Sequence, residues 1–307
     1  MRFRDLLAII LTGGFAAGAS LVVNLALIAI VPLDAHAFSR YVAPVIEETL
    51  KTLLVVRLVR SHRIGFLVDA AICGFAIGTG FALVENLYYL ESLPTARPVV
   101  WIIRGCGTAI VHGGTSGICA VLSKLFAERR RAAGPLVFAP GWVLAILIHS
   151  VFNHFILSPV ISTLLVLFIL PPLFMLVFDR SEAWLRDWLG VGFDADARLL
   201  EQLEAGRFGE TRVGEYLSSL RDRFPGEVLA DLLCYVRLDA ELSLRAKGEL
   251  MMREAGFPTA IEPEIEEKLV EMRYLEKSIG ATGKLALMPL LHPGSQEVWQ
   301  RTLLRKA

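Results

Sequence analysis

The chain has four cysteines and no CxxC pair: Cys73, Cys106 and Cys119 stand singly in apolar segments, and Cys234 lies in the charged C-terminal part. Neither a disulfide framework nor a thiolate zinc site is indicated. Basic and acidic residues balance at 31 each, so no net positive field calls for nucleic acid, and no nucleic-acid partner is expected. There is no internal repeat and no low-complexity tract. The zincin pattern HExxH and the presenilin-type GxGD are both missing, which removes two classes of protease. Charge is scarce over most of the first 178 residues.

What fills that first part is oil. Of the 307 residues 54% are hydrophobic and 20% charged, with a mean hydropathy of +0.55. An ordinary soluble domain does not carry that much apolar surface, so a membrane protein is expected. Six segments approach the roughly 20 apolar residues that span a bilayer: 6–32, 41–59, 65–90, 99–126, 136–157 and 160–178. The first follows a basic "MRFR" and precedes "AHA", which loosely resembles a signal-peptidase site after Ala37. Its apolar run is far longer than the roughly 7–15 residues of a signal-peptide core, so a retained helix is expected. Arg2 and Arg4, then "RLVRSHR" at 57–63, then "KLFAERRR" at 124–131 fall on alternate connections, whereas the opposite ones hold only Arg40 and Arg97. The positive-inside rule then places both termini in the cytoplasm after an even number of spans.

Beyond Asp179 the chain turns charged and amphipathic. "DARLLEQLEAG" and "EYLSSLRDRF" place apolar residues at steps of three and four, and the stretch from Pro225 to the residue before Gly256 has the punctuation of one long helix. The charges there read as a solvated face. The expected fold is all-α: a polytopic membrane helix bundle at 1–180, followed by a soluble α-helical domain at 181–307 with a regulatory or docking role.

Against this background a few polar residues stand out. "YVAPVIEETLKTLLVV" sets Glu47, Glu48 and Lys51 inside an apolar segment, Lys51 within helical reach of either carboxylate. "FALVENLYY" carries Glu85, "TAIVHGGTSG" carries His112, and "ILIHSVFNHF" carries His149, with Asn153 one turn later and His154 turned away. Gly74, Gly78, Gly113 and Gly117 form small-xxx-small pairs that let helices approach closely. An ionisable group in mid-bilayer is costly, so it faces the bundle interior and marks a function. At about 1.5 Å per residue, Glu48, Glu85 and His149 lie roughly 8–13 Å from the outer ends of their spans and His112 about 20 Å. Two histidines and a glutamate with a fourth position open form the ligand set of a hydrolytic zinc site. A further carboxylate beside it can take a proton from the bound water. His112 and His149 with one of the three carboxylates Glu47, Glu48 and Glu85 would make up that ligand set, and a carboxylate left over from Glu85 and the Glu47–Glu48 pair would be the base. Lys51 would hold that pair or neutralise a developing oxyanion, and Asn153 would bridge helices at the edge of the catalytic set.

At these residues the sequence resembles the PrsW family of intramembrane proteases, relatives of the CAAX-prenyl proteases and bacteriocin-processing enzymes. "EETLK" matches the paired-glutamate motif at Glu47 and Glu48. "FALVEN" matches the family's second motif, with Glu85 where the CAAX-type relatives carry histidine. "AIVHGGTSG" supplies the third motif at His112, and "HSVFN" the fourth at His149 and Asn153. The match runs from about Val45 to Asn153 and leaves out the C-terminal part. It implies a membrane-embedded metalloendopeptidase of a bacterial-type plasma membrane that cuts membrane-anchored proteins, an anti-sigma factor being the family's associated substrate. With this resemblance the expected metal ligands are Glu85, His112 and His149, with the Glu47–Glu48 pair activating the water and, by analogy with the CAAX-type proteases, Glu47 as the base. The wider group also leaves open a mechanism in which glutamate and histidine activate water without zinc.

Three other readings use fewer of these residues. A rhomboid-like serine protease would use the "GTSG" of Gly114–Gly117 and leave Glu47, Glu48, Glu85 and His112 idle. A proton- or cation-coupled transporter would use the buried Glu, Lys and His as a relay, but six spans without inverted repeats argue against it. A non-catalytic scaffold would use none of them.

Overall fold

A computed structural model describes residues 3–61, 63–92, 97–130, 134–154, 156–254, 257 and 263–290. The connection at 91–98, which the positive-inside reading puts outside the cell, falls partly outside the described residues, at 93–96, and the C-terminal segment 291–307 falls wholly outside them. The described residues form helices and turns and no strand. They divide into two compact units, Met1–Ser181 and Glu182–Ala307.

The first unit opens with α1 (Phe3–Ile28). A three-residue helix α2 (Ala35–Ala37) follows, capped by Asp34, whose side chain accepts the amides of His36 and Ala37, both at 2.9 Å. The Ala37 amide above all holds the Asp34 carboxyl below the usual range. A π turn (Phe38–Val42) leads into α3 (Ala43–Arg60), and α4 (Leu67–Ser92) comes next. The short α5 (Pro98–Ile103) runs through a second π turn (Arg104–Thr108) into α6 (Ala109–Arg130). Then come α7 (Pro135–Asn153) and α8 (Pro159–Glu204), which carries the boundary between the units. Prolines in the first turns of α3, α5 and α7 start those helices without losing a hydrogen bond. Arg57 and Arg60 in the last turn of α3 sit where its dipole favours cations.

Five of these helices are long and apolar enough to cross a membrane: Phe3–Ile28, Leu67–Ser92, Ala109–Glu128, Pro135–Asn153 and Pro159–Ala183. The chain is an integral membrane protein. The remaining segment of the six expected forms α3, whose 18 residues include Glu47, Glu48, Lys51, Arg57 and Arg60 and are for that reason less apolar. The charged residues of its middle turns are buried within the unit.

Within the bundle α4 packs between α1 and α6, α6 packs on α7, and α3 lies against α1, α6 and α7. Two glycines of α4 make the approach possible on either side. A Cβ on Gly78 would stand 2.0 Å from the His112 carbonyl oxygen of α6, and one on Gly80 1.9 Å from the Ile10 carbonyl oxygen of α1. Helices in lipid gain their association from such close packing. The Gly74 and Gly78 pair meets the Gly113 and Gly117 pair across this interface, as the small-residue spacing suggested. Ile9, Val55, Ile77, Ala120 and Phe138 form the apolar core that α1, α3, α4, α6 and α7 share.

The second unit has its own core around Leu232, Met272 and Leu287. Its helices include α9 (Arg212–Ser219), N-capped by the Thr211 hydroxyl accepting the Gly214 amide at 2.9 Å, and α10 (Gly226–Glu254), which lies within the stretch read as one long helix. The last, α11 (Pro263–Leu287), is interrupted at Gly280, where φ is +62°, a left-handed conformation that suits glycine.

Candidate active site

The ionisable residues of α3, α4, α6 and α7 meet in the interior of the first unit. Glu48, Lys51 and His112 are each 1% exposed and His149 3%, so all four have left solvent entirely. On α3, Lys51 lies three residues after Glu48, one helical turn, and its Nζ donates to Glu48 Oε1 at 2.6 Å. The same oxygen is 2.8 Å from His149 Nδ1 of α7 and accepts the Thr115 hydroxyl of α6 at 3.2 Å. Glu48 is thus held by three partners from three helices. This satisfaction lets a carboxylate remain in an apolar interior.

His112 is held from both sides of its ring. Nδ1 is 3.0 Å from Lys51 Nζ, and Nε2 is 2.8 Å from Glu85 Oε2 of α4. Lys51 has only hydrogens to give, so Nδ1 accepts and Nε2 carries the proton donated to Glu85. The His112 and His149 rings stand edge to face at 4.8 Å between centroids, and Phe81 of α4 lies 5.0 Å from His112 on another side. The Phe81 face also takes the Lys51 ammonium, at 4.7 Å.

Glu47 is the least committed carboxylate of the group. Its Oε2 is 3.9 Å from His149 Nε2, and its Oε1 accepts the Asn24 amide of α1 at 3.4 Å. It is also the most exposed member of the α3 triplet, at 9%.

All but one of the residues expected from sequence come together here: Glu47, Glu48, Lys51, Glu85, His112 and His149. Asn153 does not join them. At the last turn of α7 its amide donates to the Ser39 carbonyl at 3.0 Å, and Ser150 donates to the Arg40 carbonyl at 2.7 Å. This end of α7 pins the π turn that precedes α3. Ser116, the serine of "GTSG", is buried with no hydrogen bond on its hydroxyl, so no histidine activates it. Three participants were missed by sequence reasoning. Asn24 and Thr115 look like ordinary polar residues of a helix interface. Arg104 had a signal, being a lone cation in an apolar run: its Nε donates to Asn86 Oδ1 at 3.0 Å and its Nη2 lies 3.5 Å from Glu85 Oε1.

Among the described residues, Glu47, His112 and His149 offer donor atoms within 4.8 Å of one another. Two imidazoles and a carboxylate in so small a space match the donor preference of zinc with one position left for water. Glu48 lies against His149 and Glu85 against His112, contacts of the kind by which carboxylates orient imidazole ligands around a metal. Both ring nitrogens of His112 are engaged, so a metal on this residue would be bound in exchange for one of its present contacts. In kind and spacing the residues fit the ion.

A model of the PrsW family of intramembrane metalloproteases matches residues 2–178. No curated protein and no solved structure gave a significant match.

Proposed function

The chain belongs to the PrsW family of intramembrane metalloproteases and is a peptidase acting on membrane proteins, and from that premise we propose that Glu47, His112 and His149 hold its zinc ion. The observation that carries this reading is the convergence of one carboxylate and two imidazoles from α3, α6 and α7 at a buried point. It exchanges two roles read from sequence: Glu47 becomes the third ligand, and Glu85 orients His112.

Each remaining residue then has work that follows from its contacts. Glu48 accepts from His149 Nδ1, which leaves Nε2 facing Glu47 with its lone pair. Glu85 does the same for His112 through Nε2, leaving Nδ1 on the Lys51 side. Bound zinc would supply a water acidified to a pKa of about 7 and a Lewis acid for the peptide carbonyl. Lys51 brings a positive charge to within 3.0 Å of His112, where it can stabilise the oxyanion of a tetrahedral intermediate. Asn24 fixes the rotamer of Glu47 from α1.

One observation favours a second reading. Lys51 already neutralises Glu48 and occupies His112 Nδ1, which is the balance expected of a site that works without metal. Glu47 Oε2 and His149 Nε2, 3.9 Å apart, could then share one water, with Glu47 as general base.

The orientation is part of the proposal: α3 counts as a sixth span, both termini lie in the cytoplasm of a bacterial-type membrane, and the basic connections at 57–63 and 124–131 face inward. The second unit serves docking or regulation. Its described residues hold no histidine, and its charges follow helical faces. The test is cleavage of a membrane-anchored reporter by the purified protein in liposomes. Cleavage by wild type and none by His149→Ala supports the site; equal cleavage by both would exclude it.

A further inference from the structure

Arg104 and His112 are eight residues apart. In an unbroken α-helix eight steps of about 100° would leave them about 80° apart. The π turn Arg104–Thr108 absorbs one residue. The spacing then behaves as seven, which falls about 20° short of two full turns. Both side chains consequently reach the same carboxylate from one face: Arg104 Nη2 at 3.5 Å from Glu85 Oε1, and His112 Nε2 at 2.8 Å from Glu85 Oε2.

The guanidinium is fixed in three other ways. Its Nε donates to Asn86 Oδ1 at 3.0 Å, its carbon stands 3.7 Å above the Tyr89 ring, and its side chain is only 13% exposed. Taking an arginine out of water inside a membrane protein is costly, and an apolar side chain would fill the same space without that cost. Stacking on Tyr89 and the bond to Asn86 instead hold the planar guanidinium in one place, where Nη2, at ion-pair distance without a hydrogen bond, sets a fixed positive charge against Glu85 Oε1.

We propose that Arg104 is a positioning residue for the peptidase: it fixes the Glu85 carboxylate so that Oε2 takes His112 Nε2, which commits Nδ1 of that histidine to the face shared with Lys51, Glu48 and His149. This rests on the peptidase reading. Residues that orient ligand histidines in this way change activity by about 10- to 100-fold when removed. The test measures kcat and KM on a membrane-anchored reporter, and the unfolding midpoint in detergent, for wild type, Arg104→Met and Arg104→Lys. Arg104→Met is expected to lower kcat by about 10- to 100-fold with KM and unfolding midpoint unchanged. Arg104→Lys is expected to fail to restore it, because an ammonium cannot stack on Tyr89 and reach Asn86 and Glu85 together. Wild-type kcat in Arg104→Met, a change confined to KM, a kcat loss that follows a lowered midpoint, or full rescue by lysine would each overturn the inference while leaving the peptidase reading intact. A wild type that cleaves nothing would overturn both.

Discussion

The two units treat charge in opposite ways. In the C-terminal unit oppositely charged side chains pair along the rims of helices, as in Lys284 with Glu276 at 3.2 Å and Arg245 with Glu264 at 3.5 Å. A buried pair, Lys247 with Asp196 at 2.7 Å, ties two helical segments together. In the membrane unit Glu47, Glu48, Lys51 and Glu85 are gathered around two histidines in the interior of the bundle. There one carboxylate, Glu48, has a lysine, an imidazole and a hydroxyl on a single oxygen. Ion pairs in the first pattern hold a fold. Charges in the second are kept in a place where each costs free energy, and that arrangement is sustained by chemistry.

The contrast can be broken from either side. The largest effect is expected at His112 and His149: alanine at either should reduce reporter cleavage to the uncatalysed background and remove zinc, read by elemental analysis, while the protein still inserts. In the C-terminal unit no single substitution should do this. Lys51→Met should come next. It leaves Glu48 buried without its cation, and breaking such a pair costs about 3–5 kcal/mol, visible as a lowered unfolding midpoint together with lost cleavage. A midpoint unchanged from wild type would mean that Glu48 is stabilised by His149 and Thr115 alone. Thr211→Ala should cost about 1 kcal/mol through loss of the α9 cap and leave kcat unaltered; a drop in kcat would tie the second unit to the chemistry. Lys284→Ala should have the smallest effect, about 0–1 kcal/mol for a half-exposed pair, with no change in cleavage.

Much of the membrane unit was legible because lipid imposes a severe rule on sequence. Apolar runs of spanning length mark helices, and any ionisable residue inside one must find a partner, so Glu47, Glu48, Lys51, Glu85, His112 and His149 announce themselves. What a sequence does not state is how each helix is rotated against its neighbours. Periodicity sets Asn153 on the face of His149, yet at the helix end that face meets the Ser39 carbonyl. The same gap left open which carboxylate lies nearest both imidazoles: Glu47, His112 and His149 offer donor atoms within 4.8 Å of one another, whereas Glu85 meets His112 and Arg104. Arg104 was obscured for a further reason: a π turn shifts register by one residue, and regular spacing read along "RGCGTAIVH" sets it about 80° away from His112. In α3 the very residues that form the site lower its hydropathy, so the most functional segment gives the weakest membrane signal.

The proposed site turns on a zinc ion held by Glu47, His112 and His149. The most direct measurement is the zinc content of the purified protein in detergent, followed by cleavage of the membrane-anchored reporter as a chelator removes the metal. One zinc per chain is expected, with loss of cleavage in step with loss of metal, restoration when zinc is returned, and no zinc in Glu47→Gln. Full cleavage by verified metal-free protein would contradict it and transfer the reaction to the glutamate–histidine pair of Glu47 and His149.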